Sequence, residues 1–129
     1  MEQFVRLSLA VACGSAAGGV ARYWSGSALQ RLLGSTFPWG TFAVNVIGCG
    51  LMGFLATWAM ERADWSPEVR LLLTTGLLGG FTTFSAFSHE TLRLAENGDW
   101  QRAVANITAT LLLTLLAVWA GATLARVLR

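Results

Sequence analysis

Charge is scarce in this chain. Only 12% of its 129 residues are Asp, Glu, Lys or Arg, against about a quarter in a soluble domain, and 54% are hydrophobic. That shortage excludes an ordinary water-soluble fold and makes lipid the expected solvent. The middles of the long apolar stretches hold no Asp, Glu or Lys, and Glu90, the one candidate carboxylate, lies toward the end of the third stretch. Proton-coupled cation transport, which needs an embedded titratable acid, is disfavoured accordingly. No polar run is long enough for a soluble domain, and no nucleotide-binding loop, catalytic triad or metal-ligand cluster appears, so no enzyme is expected. Cys13 and Cys49 fall inside apolar stretches without metal-ligand spacing and read as small packing residues. The net charge of +2 is spread along the chain instead of gathered into a basic cluster, and no nucleic-acid partner is expected.

What is there is apolar length. Stretches free of ionisable side chains cover residues 7–21, 32–60, 71–88 and 103–125. A helix needs roughly 20 apolar residues to cross about 30 Å of hydrocarbon, so the second and fourth suffice unaided. The first is extended by an uncharged run past Arg22, whose guanidinium can snorkel or face a wet cavity. The reading is an all-α membrane protein, one domain over residues 1–129 with four transmembrane helices at about 4–33, 38–60, 69–96 and 100–127. Because residues 22–34 continue the helical pattern, no cleaved leader is expected.

With both termini on one side, that side carries Arg6, Arg62, Arg70, Arg126 and Arg129, while the other carries Arg22, Arg31, Arg93 and Arg102. A balance this even gives almost no orientation preference, as expected of a chain that inserts both ways and pairs as an antiparallel dimer. Leaving Arg22 out as intramembrane gives instead a weak bias toward cytoplasmic termini. Four helices also pack their own centre, so an ion path favours oligomerisation.

In the first span Gly14 and Gly18 have the spacing that lets helix backbones approach closely in lipid. Arg22 is either an interfacial anchor or a functional group with a partner. The second span opens at Pro38 and carries Asn45 in mid-membrane, with Thr41 one turn earlier on the same face. An amide there either glues helices together or belongs to a polar track. The third span, with Gly76, Gly79, Gly80 and the run Thr82-Thr83-Phe84-Ser85-Ala86-Phe87-Ser88, is a poor continuous helix. A break near Gly79 to Thr82 would free carbonyls that must be buried in protein or meet an ion such as Na⁺; the alternative is a kinked helix whose carbonyls are capped by threonine hydroxyls. Phe84 and Phe87, three apart, either pack or turn electropositive ring edges into a pathway. In the fourth span Asn106, Thr110 and Thr114 repeat once per turn over about 12 Å at 1.5 Å per residue, as a polar lining would, although threonines can also bond back to their own helix. Walls rich in donors and poor in fixed charge suit a small anion, and weak multiple sites favour passage over trapping.

Residues 14–23, the set Gly40-Thr41, Asn45 and Gly48, and above all the run from Gly79 to Ser88 resemble the signature segments of the bacterial CrcB/Fluc fluoride channels, across all four spans. The resemblance implies an antiparallel, dual-topology homodimer in the bacterial inner membrane that exports toxic F⁻ passively through two pores. It implies that Asn45 contacts the ion, that Phe84 and Phe87 flank it, and that Thr41, Ser88, Asn106, Thr110 and Thr114 line the anion path. It further implies that Gly79 and Thr82 give backbone carbonyls to a structural Na⁺ at the dimer centre, with Arg22 in a vestibule or structural role. Two departures stand out: Asn106 occupies the place where the family often has tyrosine, with Thr110 and Thr114 where serines are common, and Ala86 replaces a hydroxyl residue. The competing readings are a small multidrug exporter of similar size, which needs a carboxylate in the first span where only Glu2 is near, and a non-transporting assembly subunit.

Overall fold

The computed structural model describes residues 1–60 and 64–128, all helical or in short connections. Arg62 and Arg129 of the charge balance lie outside the described residues. Helix α1 runs Glu2–Leu33 and α2 Trp39–Met60. The third span is two helices. The first, α3 (residues 67–81), joins α-helical Pro67–Leu71, π-helical Leu72–Leu78 and a last turn Gly79–Phe81. The second, α4, is Phe84–Glu96, and α5 is Trp100–Val127. Four helical spans, counting α3 and α4 together over Pro67–Glu96, are long and apolar enough to cross a membrane.

The ends follow from local chemistry. The Ser66 side chain caps α3 by accepting the Val69 N–H at 3.3 Å, with Pro67 in the first turn, and Asp99 caps α5 through the Arg102 N–H at 3.2 Å. Gly34 at φ 97° and Gly98 at φ 80° close α1 and the α4–α5 connection in the left-handed region. Gln30 staples the connection between α1 and α2, donating to the Phe37 carbonyl at 2.8 Å and accepting the Gly40 N–H at 3.0 Å.

Lipid offers no hydrophobic force between helices, so they associate by close fit. α2 packs most extensively on α5, and α1 on the π-helical turn of α3. At the α1–α3 seam backbone meets backbone: a methyl at Gly14 would strike the Leu72 carbonyl oxygen, and one at Gly18 that of Leu77. The small-residue spacing of the first span is used here. The outer face of α5 (Leu112, Leu115, Leu116, Trp119) is exposed, as a lipid-facing surface should be. Cys49 is half-buried, but Cys13 is exposed and does not pack within the protomer, because the buried face of α1 is the one carrying Gly14 and Gly18.

Gly18→Ala should lower the unfolding free energy of the detergent-solubilised protein by about 1–3 kcal/mol through overpacking of this seam. Gly19→Ala, whose added methyl meets nothing within 4 Å, should leave it unchanged or raise it by up to about 1 kcal/mol through helix propensity. Thermal or denaturant unfolding of the two variants side by side checks the pair.

Candidate ion pathway

The third span breaks at Thr82 and Thr83, both extended (ψ 157° and 117°). A break inside a membrane frees backbone groups that lipid cannot satisfy. Asn45 of α2, 6% exposed, answers two of them at once: its Nδ2 donates to the Thr83 carbonyl at 2.9 Å and its Oδ1 accepts the Thr83 N–H at 2.7 Å. The Thr83 hydroxyl then caps α4, accepting the Ala86 N–H at 3.2 Å.

This arrangement takes the helical donors away from the Gly79 and Thr82 carbonyls. In an unbroken α-helix the Gly79 oxygen would receive the Thr83 N–H and the Thr82 oxygen the Ala86 N–H. Those donors have gone to Asn45 and to the Thr83 hydroxyl. The Thr82 carbonyl receives Arg22 Nη1 at 3.4 Å, while Gly79 sits on an exposed face of the protomer.

Beside the break lies a cavity of about 170 Å³ whose lining includes Asn45, Thr82, Phe84, Phe87, Thr110 and Thr114. It joins α2, the break, α4 and α5, and among the described residues no Asp, Glu, Lys, Arg or His lines it. The two phenylalanine rings touch, centroids 5.2 Å apart and planes tilted by 50°, but they differ in burial: Phe87 is 6% exposed and Phe84 72%. Phe84 is the first residue of α4 and stands on the open side of the cavity, so the pair spans an edge of the protomer instead of sharing one buried face.

The α5 stripe is hydrogen-bonded in series. Asn106, 1% exposed, donates from Nδ2 to Thr91 Oγ1 at 2.9 Å and accepts the Thr110 hydroxyl at Oδ1 at 3.2 Å. Thr114 bonds back to the Thr110 carbonyl at 2.7 Å. Asn106 itself is not among the residues lining the cavity. Thr41 faces elsewhere: its hydroxyl donates to Glu90 Oε1 at 2.7 Å, and both line a separate cleft of about 450 Å³ with Arg22, Arg31 and Thr83. Ser88 is exposed and bonds back to the Phe84 carbonyl at 2.9 Å, outside both spaces. Thr83 and Thr91 are structural partners to which sequence reading gave no role, and Glu90 was singled out there only as a candidate carboxylate, without its partner Thr41. Glu90, the one carboxylate toward the end of the third apolar stretch, carried a signal; Thr83 and Thr91 looked like any helical threonine.

The family model described as CrcB-like protein, Camphor Resistance (CrcB), matches residues 9–122, a range that contains every residue of both spaces. The chain belongs to the CrcB family. Among its CrcB relatives, a protein of Geobacter sulfurreducens is 48% identical over 118 residues, covering 92% of this chain and 95% of its own length. One of Rhizobium johnstonii is 48% identical over 121 residues (94% and 97%), and one of Dehalococcoides mccartyi is 45% identical over 121 (94% and 93%). All three carry the name fluoride-specific ion channel FluC. CrcB proteins with that name are ion channels and not enzymes.

Asn45→Ala strands the Thr83 N–H and carbonyl together, at about 1–3 kcal/mol for each unsatisfied buried group. A loss of at least about 2 kcal/mol in unfolding free energy is expected, far above the effect of a surface substitution; a loss below about 0.5 kcal/mol would mean that the two-point pairing carries little weight.

Proposed function

We propose that this protein is a fluoride-selective passive channel through which F⁻ leaves the cytoplasm, protecting a bacterium against fluoride toxicity. One observation carries the reading: amide and hydroxyl side chains and a phenylalanine pair gather in a single cavity without any fixed charge. A small anion entering it meets hydroxyl donors and the electropositive edges of aromatic rings, contacts that replace water without binding the ion too tightly to release. The names of the curated relatives point to the same ion.

The channel works as an antiparallel homodimer in the bacterial inner membrane, with its chains inserted in both orientations. Support for this lies in the near-even arginine balance and in the open side of the cavity, where Phe84 and the Gly79 backbone are exposed within one protomer and a second copy would complete the walls. A structural Na⁺ at the dimer centre is part of the proposal. The Gly79 and Thr82 carbonyls fit it, being hard oxygens from which the helical N–H donors have been drawn away. Bound there, Na⁺ would cross-link the two broken spans electrostatically without itself being transported.

Liposomes containing the purified protein, made permeable to K⁺, should lose F⁻ rapidly and Cl⁻ negligibly. Equal fluxes, or none from folded dimer, would refute the channel reading. Asn45→Asp, by adding a negative charge to the cavity, should abolish F⁻ efflux while dimer still forms on size exclusion. Dimer prepared without sodium should be inactive, and sodium-independent flux would remove the Na⁺ from the scheme.

A further inference from the structure

The released Thr82 carbonyl is not bare. Its contact with Arg22 Nη1 crosses 60 positions of sequence and ties α1 to the break at 3.4 Å, at the long end of hydrogen bonding. Arg22 is half-buried and reaches the break through the cleft that also holds Thr83, Thr41 and Glu90. Neither Arg6 nor Arg102 resembles it: the first pairs with Glu68 at 3.4 Å and the second with Asp99 at 2.6 Å, whereas the contact made by Arg22 is a neutral carbonyl.

The geometry points to Arg22 as a tethered cation that occupies the Thr82 carbonyl when no metal is bound and gives it up when Na⁺ arrives. The inference rests on the structural Na⁺ reading and assigns Arg22 a positioning role within it. A carbonyl oxygen has two lone pairs, and an electron-rich oxygen freed from its helical donor attracts whatever positive group can reach it. A guanidinium held by one long contact satisfies the oxygen loosely and leaves it in place for a better ligand. Two cations on neighbouring lone pairs repel strongly where the dielectric is low, so guanidinium and Na⁺ exclude each other. Arginine suits the task because it remains charged in any surroundings.

Exclusion has a sign that can be measured. Removing the guanidinium leaves the carbonyl uncompensated without sodium and uncontested with it. Full-length protein in detergent micelles, titrated with sodium gluconate at constant ionic strength against N-methylglucamine, gives a thermal unfolding midpoint at each sodium concentration. Wild type should show a moderate rise with sodium. Arg22→Gln should start several degrees below wild type in sodium-free buffer and reach its plateau at a sodium concentration at least five-fold lower. Arg22→Lys, which keeps a cation, should hold the wild-type sodium dependence within two-fold, and it decides the matter if the glutamine variant does not fold. A sodium-responsive wild type with an unchanged response in Arg22→Gln, or a five-fold tighter response in Arg22→Lys, overturns the role of Arg22 alone. A wild type blind to sodium overturns both this role and the Na⁺ reading beneath it.

Discussion

The pairing of the Asn45 side-chain amide with the Thr83 peptide unit is the interaction on which the centre of this protein depends. Interrupting a helix in lipid strands donors and acceptors, and each stranded group costs more there than in water. One asparagine answers both groups of one peptide with bonds of 2.7 and 2.9 Å. The bonds also hold α2 against the third span at a fixed height, because an amide pair of this kind has no freedom to slide. Everything else at the centre follows: the cap on α4, the released carbonyls, and the position of the Phe84 and Phe87 rings just beyond them.

Around that pair the chain separates two spaces of opposite character. Toward α5 the lining is neutral, made of Thr, Phe, Leu and Cys side chains and the one amide of Asn45. Toward α1 it is charged, with Arg22, Arg31 and Glu90. Thr83 at the break lines both, with Val44 and Ala86 facing the charge-bearing cleft and Asn45 and Phe87 the neutral cavity. Elsewhere the spans meet in tight seams: Gly14 and Gly18 bring α1 to the α3 backbone, and Gly53 lets α2 approach the backbone of α5 at Val118.

Much of this was legible in the sequence, for identifiable reasons. Uncharged length marks a span whatever the tertiary fold, which is why the second and fourth crossings could be read directly, while the first and third had to be extended past a charged residue. The small-residue spacing of Gly14 and Gly18 reports a close approach, and the glycine and threonine content of the third span reports trouble for a helix. The partners were not legible. That Asn45 meets Thr83, 38 residues away, or that Thr41 meets Glu90 depends on how spans are set side by side. The π-helical turn Leu72–Leu78 was hidden as well, because its only polar side chains, Thr74 and Thr75, are adjacent and repeat at no spacing by which to tell one helical period from another. Spacing placed Phe84 and Phe87 on neighbouring positions, but it could not show that the edge of the protomer passes between them.

The threonines of α5 carry one more consequence. Thr114 lends its proton to the Thr110 carbonyl and Thr110 lends its own to Asn106, so neither hydroxyl idles. Each proton is one Cβ–Oγ torsion away from pointing elsewhere, and such rotations take picoseconds to nanoseconds. The stripe is therefore a row of rotors: parked on the protein's own acceptors when nothing is near, and able to swing toward a visiting charge with no movement of the backbone.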